Sequence, residues 1–158
     1  MLVAIAAAGL FYIKGRGMSA RPQPSWIEAR TVRVLRSWLT PTRYKGLKNP
    51  VSASAETLAT GRAHFADRCA SCHAADGSGR TEMGRNLYPK APDMRLARTQ
   101  SLSDGEIFYL IENGVRFTGM PGRSTGTPEG EKLSWQLVHV VRRLPEEARQ
   151  IEEFPHKP

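Results

Sequence analysis

The sequence predicts an all-α fold. Residues 54–68 open on Ser54, a side chain suited to capping a helix N-terminus, and place Leu58, Gly61 and Phe65 on one face. Residues 103–113 carry a capping box in Ser103 and Glu106, an apolar face of Ile107, Leu110 and Ile111, and Gly114 just past the end. A third helix starts at Thr127-Pro128-Glu129, with a cap, a proline at the first helical position and an acid in the first turn. Its stripe is Leu133, Leu137, Val140, Val141 and Leu144, with Trp135 beside it, and Pro145 is expected to end it. Between these helices, residues 74–92 and 117–126 read as Gly- and Pro-bearing loops.

Two further segments precede this core. Residues 1–13 form an apolar segment whose uncharged run of twelve, from Leu2 to Ile13, is closed by Lys14-Gly15-Arg16. A bilayer crossing needs about 20 apolar residues, so the run is expected to act as a partial anchor or a signal-like segment. A start upstream of Met1, or completion by partner helices, would lengthen the span. Residues 14–53 hold a basic helix between two linkers. Ser25 to Glu28 reads as a capping box, Ile27, Thr31, Val34, Leu35 and Trp38 form one stripe, and Arg30, Arg33 and Arg36 lie off it. Such a helix can lie on anionic lipid, or it can pack by its stripe on its own domain. Residues 54–145 form the main domain, and 146–158 an acidic tail expected to fray.

The formal charge of +8 is local. Nine Lys and Arg between Lys14 and Lys48 face Glu28 alone, while the remainder holds fourteen basic and fourteen acidic residues. A neutral folded module argues against a nucleic-acid binder, which would carry its basic patch on that module.

The chemistry is concentrated in Cys69-Ala70-Ser71-Cys72-His73, at the end of the first core helix. This C-x-x-C-H pattern reads as a site of covalent c-type haem attachment: each thiol can add to one vinyl group, and the neighbouring imidazole falls beneath the iron as a metal ligand. A redox Cys pair would call for a βαβ context, and a zinc site for two more ligands at metal spacing. Neither is present in the sequence. With both cysteines in the motif, the chain cannot also form a structural disulfide without giving up the attachment.

From these residues the chain resembles the class I c-type cytochromes, mono-haem and membrane-tethered in bacteria, over residues 54–144. The resemblance implies a cytochrome c fold with one covalently bound haem c. The Gly61 and Phe65 pair resembles that family's helix crossing, with Trp135 or Leu137 as its partner. Ala91-Pro92-Asp93-Met94 resembles its proline loop, whose carbonyl accepts the proximal histidine's Nδ1 hydrogen; Pro92 takes that part, with Pro89 in reserve. Met94 stands where a leucine is usual and becomes a haem-packing residue and a competitor for the iron.

Met120, 47 residues beyond His73 in a Gly-Met-Pro-Gly loop, is the expected distal ligand rather than Met83, Met94, His64 or His139. A thioether opposite an imidazole closes the sixth position and raises the potential. The implied function is a one-electron carrier, not an enzyme, between a reductase donor and a terminal oxidase or reaction-centre acceptor. Residues 1–39 would touch membrane lipid, and the haem domain would lie on the periplasmic side of the bacterial inner membrane. A fixed haem subunit of a respiratory or photosynthetic complex is the alternative, with a haem enzyme of open distal site behind it. Basic residues after a first helix tend to remain cytoplasmic, which conflicts with haem attachment outside.

Overall fold

In the computed structural model, which describes residues 1–17 and 19–153, the chain is all-helical with no strand among the described residues. In chain order the helices are α1 (Leu2–Arg16), α2 (Trp26–Leu39), α3 (Thr42–Lys45), α4 (Ala55–Arg68), α5 (Ala70–His73), α6 (Glu82–Asn86), α7 (Ala97–Gln100), α8 (Asp104–Asn113) and α9 (Pro128–Glu153). Among the described residues no helix is long and apolar enough to cross a membrane.

The caps explain where the main helices start. The Ser54 hydroxyl accepts from the Thr57 N–H at 3.1 Å, Ser103 and Glu106 form the complete reciprocal box, and the Thr127 hydroxyl accepts from the Gly130 N–H at 3.2 Å. Ser25 caps the Glu28 N–H at 3.3 Å, but the expected box is half made: the Glu28 carboxylate accepts instead from the Tyr88 hydroxyl.

The core forms where α4 and α8 pack on α9: Phe65, Ile107, Phe108, Ile111, Trp135, Leu137, Val138, Val140, Val141 and Leu144, with Met94 from the intervening loop, are all buried. Phe108 and Trp135 stack with ring centroids 4.1 Å apart. On α4 the buried face is Thr57, Gly61 and Phe65, and Leu58, expected on it, is only half-buried. Thr57 is admitted because its hydroxyl accepts from the Ser54 hydroxyl at 3.0 Å.

Gly61 is the point of closest approach. A methyl there would sit 2.8 Å from the Gln136 carbonyl oxygen and 2.9 Å from Val140 Cγ2. The crossing partner is therefore Gln136 and Val140, not Trp135 or Leu137. Trp135 turns instead toward Phe108 on α8, because successive residues of α9 face different neighbours.

Pro145 does not end α9, which continues to Glu153 with the proline inside it. Proline lacks the N–H that would bond the Val141 carbonyl. That carbonyl accepts from Gln100 Nε2 at 2.9 Å, so the lost bond is replaced from α7. The first part of the expected tail is thus helical, tied by a salt bridge from Arg62 to Glu147, while residues 154–158 lie outside the described residues.

Residues 40–53, expected as a linker, are packed on the main domain. Tyr44 on α3 meets Tyr109 at 4.9 Å between centroids, Asn49 Nδ2 donates to the Trp135 carbonyl at 2.9 Å, and the Val51 carbonyl lies 2.7 Å from His139 Nε2. Polar and proline-rich composition marks irregular backbone, but these side chains find partners on α8 and α9.

Gly61→Val should destabilise the protein by about 1–3 kcal/mol, because the added atoms meet a helix backbone that cannot yield. Thermal unfolding of the holoprotein would measure this, and an unchanged midpoint would show that the crossing tolerates a wider spacing.

Candidate functional site

The motif is built on one helical turn. The Cys69 N–H donates to the Phe65 carbonyl at 2.9 Å and so completes α4, while the Cys69 carbonyl accepts from Cys72 N at 3.2 Å and His73 N at 2.9 Å. Residues three and four apart on a helix share a face, so Cys69, Cys72 and His73 are presented together. Ala74 then turns the chain away at φ 61°. Both thiols are unpaired and half-buried. Burial pushes the Cys69 thiol up, with Cys72 adding to this and the Arg123 guanidinium opposing it.

The loop after His73 closes around this turn. Gly79 N–H donates to the His73 carbonyl at 2.8 Å, and the Thr81 hydroxyl donates to the Cys72 carbonyl at 3.1 Å while accepting from Gly84 N–H at 2.8 Å. Gly79 has φ 71°, and a Cβ on it would lie 2.5 Å from the Ala91 carbonyl oxygen and 3.1 Å from that of Pro92. Only glycine allows both that backbone angle and that approach, which brings the proline segment against the motif.

His73 is held by this closure. Burial keeps its pKa below the ordinary histidine value, and the Pro92 backbone works in the opposite direction. Proline's one backbone hydrogen-bonding group is its carbonyl. Nδ1 is sealed from solvent with no hydrogen-bond partner among the described residues, and the Pro92 backbone is the group that acts on the ring. Pro89 is exposed and has no such part.

Met94 is 8 % exposed and packs within the apolar core. Its N–H donates to the Gly77 carbonyl at 2.8 Å, and its carbonyl accepts from Gln100 Nε2 at 2.7 Å. Arg95 holds the flanking backbone, bonding Asp93 through Nε at 2.9 Å and Nη2 at 2.7 Å, and Asp76 through Nη1 at 3.2 Å. These bonds hold the Asp93 carboxyl below its ordinary value. Burial opposes the same shift at Asp76 but is outweighed by the Ser78 hydroxyl and N–H and by Arg95.

Met120 lies half-buried on a small closed loop carried by the end of α8. The Val115 N–H donates to the Met120 carbonyl at 3.0 Å, and the Thr118 hydroxyl accepts from Met120 N–H at 3.1 Å while donating to the Val115 carbonyl at 2.7 Å. Arg123 Nη2 donates to the Arg68 carbonyl at 2.8 Å, which pins this loop to the residue before Cys69. Gly119 presses on Leu87, so the Met120 loop also touches the loop after the motif. Met83 is 55 % exposed on α6. His139 is occupied with Val51, and His64 sits half-buried on α4, its protonated form disfavoured by burial and by Arg68.

The structure thus brings Cys69, Cys72, His73, Pro92 and Met94 into one loop-bounded region and fastens the Met120 loop to it through Arg123. Sequence reasoning missed Arg95, Gln100, Thr81 and Arg123. Asp93 and Arg95, two residues apart, were a readable ion-pair signal, whereas a guanidinium meeting a helix-end carbonyl 55 residues away has none.

These residues fit haem c. Two unpaired thiols leave a helix end, a half-buried imidazole keeps its Nδ1 sealed from solvent without a hydrogen-bond partner, and a thioether is carried on a second loop tied to the first. Residues 56–139 match the family model described as cytochrome C oxidase, cbb3-type, subunit III. No curated protein matches the chain.

Arg95→Gln should weaken the 76–95 loop in a pH-dependent way. A carboxyl held low stabilises the fold above its unfolded value near 3.9, and that contribution is lost as pH falls through the folded value. The variant should lose about 1–3 kcal/mol at pH 7 and much less at pH 3, read from denaturant midpoints at the two pH values. Equal losses at both would show that Arg95 acts by packing.

Proposed function

Because the chain belongs to the family of cbb3-type cytochrome c oxidase subunit III, and so is a class I c-type cytochrome that binds covalently attached haem c, we propose that Cys69 and Cys72 are its attachment points and His73 and Met120 its axial ligands. Haem-based electron transfer follows from the family, which points to a carrier rather than an enzyme, with redox complexes as partners. The observation that supports the ligand assignment is His73: its Nδ1 is sealed from solvent with no hydrogen-bond partner and the Pro92 backbone acts on the ring; with Nδ1 directed to that carbonyl, Nε2 would be the nitrogen left to ligate.

Cys69 and Cys72 would hold the haem through thioethers, each thiol adding across a vinyl group with sulfur on one carbon and its proton on the other, a step that would need no oxidant or reductant. When bound, the haem supplies a one-electron Fe(III)/Fe(II) couple. Pro92 fixes the imidazole tautomer and orientation through its carbonyl, the role a partner on the second ring nitrogen ordinarily has. Met120 offers a soft thioether on a loop whose hydrogen bonds hold it in place, and such a ligand favours the reduced iron. Met94, buried in the core with its backbone held by Gly77 and Gln100, would serve as a haem-packing residue rather than a competing ligand.

In this reading the haem domain faces the periplasm on the bacterial inner membrane. It takes electrons from a reductase and passes them to a terminal oxidase or a reaction centre, with residues 1–39 as its tether to membrane lipid. Attachment of haem c outside the inner membrane supports the location, and the apolar α1 supports the tether. A fixed place in a larger oxidase is the second reading, favoured by the family description.

Met120→Ala should open the iron to added ligands, lower the reduction potential and abolish the sulfur-to-iron absorption band, while haem stays on the polypeptide through a denaturing gel. Met94→Ala and Met83→Ala should keep the band. Loss of the band in Met94→Ala alone would transfer the distal role to Met94. Haem stripped from the parent by acid-acetone would end the attachment assignment.

A further inference from the structure

Helix α2 sits on the protein the wrong way round for an amphipathic surface helix. At about 100° per residue, Ser25, Ala29, Arg36 and Thr40 fall within about 60° of one another, and Ile27, Val34 and Trp38 lie on the opposite side within about 40°. The first four are the residues in this stretch that lose solvent: Ser25, Ala29 and Arg36 are half-buried and Thr40 is buried, while every other residue from Trp26 to Leu39 is exposed. Trp26 is 74 % exposed and Trp38 76 %. The helix therefore turns its polar face to the haem domain and its apolar face to solvent. Packing by the stripe, the ordinary reason for such a pattern, is not what this domain does with it.

The inward face is polar and keyed. Glu28 accepts from Tyr88 in the loop after the haem-attachment motif, the Thr40 hydroxyl donates to the Arg36 carbonyl at 2.8 Å, and Arg36 lies in the field of Glu106 on α8. The outward face has the composition of a helix lying in a lipid headgroup layer. Trp38 stands on that face at its C-terminal end, where a ring with one wet edge settles at an interface, with Ile27 and Val34 along it, and the exposed Trp26 lies about 100° round the helix from Ile27. Arg30 borders the stripe and Arg33 lies about 60° further round on the same side, both exposed.

The neighbouring element supplies the second signal. In α1 the residues Val3, Ile5, Leu10, Phe11 and Ile13 are all more than half exposed and carry no charge. Its 15 residues span about 22 Å against a hydrocarbon core of about 30 Å, so it is short for an ordinary crossing. Stable anchoring ordinarily takes two such signals.

We propose that α2 is a two-faced spacer: its Ile27, Val34 and Trp38 face seats in the headgroup layer of an anionic phospholipid membrane, while its Ser25, Ala29, Arg36 and Thr40 face holds the haem domain at one orientation to that surface. The inference rests on the membrane tether proposed above and adds which face meets lipid, which lipid charge it needs and what the contact does. The Glu28–Tyr88 hydrogen bond and the burial of Thr40 join the helix to the haem domain, with Glu106 adding an attractive field on Arg36, so tilting the helix tilts the domain.

The test uses the full haem-loaded chain with vesicles of phosphatidylcholine, with or without phosphatidylglycerol. Haem absorbance in the pellet should appear with the anionic vesicles and fall at high salt. Arg30→Gln and Arg33→Gln should each lower partitioning about fivefold. Amide exchange across residues 26–39 should slow on anionic vesicles in the parent and not in Val34→Asp, whose haem spectrum should stay that of the parent. On oriented bilayers the haem band should be dichroic, and the double variant Tyr88→Phe, Glu106→Gln should lose the dichroism while still binding. A parent that sediments with unchanged exchange over 26–39 would overturn the inference and leave α1 as the tether. A parent that sediments with neither vesicle would overturn the tether as well. Dichroism that survives the double variant would overturn the spacer role.

Discussion

Everything in the domain depends on how closely α4 and α9 approach at Gly61. With no side chain there, the backbone of α4 comes to within van der Waals reach of the Gln136 carbonyl and Val140. That contact sets α9 as a spine, and each of its faces then organises a different neighbour. Trp135 stacks on Phe108 of α8, Ser134 bonds the buried Glu112, and His139 meets the Val51 carbonyl. Arg142 donates to the Gln100 carbonyl at 2.7 Å, to Asp104 at 2.8 Å and to the Leu102 carbonyl. A wider crossing would shift all of these together, because a close-packed interior has no slack to absorb the change.

The site inherits its precision from that spine indirectly. Gln100 is held against α9 through Val141 and, with the same amide nitrogen, holds the Met94 carbonyl. Met94 holds Gly77, and Gly79 holds His73. The path from the helix crossing to the proximal imidazole is thus a chain of backbone carbonyls and one glutamine. Burial around it lowers the imidazole's pKa, which favours the neutral ring, the form a metal ligand takes. On the far side, the Met120 loop is closed on itself and pinned by Arg123, so the two proposed ligands are carried by separate segments that meet at the end of α4.

Charge and apolar surface are divided between the two parts of the chain. The domain from Asn49 onward is balanced, and its carboxylates largely work inside it, as Asp76 and Asp93 do with Arg95. The segment before it carries the excess positive charge together with exposed apolar side chains such as Val3, Leu10 and Phe11 of α1 and Ile27, Val34 and Trp38 of α2.

The sequence by itself determined what depends on local chemistry. The capped starts of α4, α8 and α9, the one-turn spacing of Cys69, Cys72 and His73, and the periodicity of Leu137, Val140, Val141 and Leu144 were all legible. Each rests on hydrogen bonds and repeats spanning only a few residues. Tertiary structure decided whatever needed a partner distant in the chain. Pro145 reads locally as a stop, yet the helix continues because Gln100 from another segment takes the orphaned Val141 carbonyl. Residues 40–53 read as a linker, yet Tyr44, Asn49 and Val51 find partners on α8 and α9. The stripe of α2 was plain in the sequence, but periodicity states only that two faces differ. Which of them turns toward the protein is seen in the burial of Ala29, Arg36 and Thr40 and in the bond from Tyr88 to Glu28, and the position of Tyr88 follows from the packing of the whole domain.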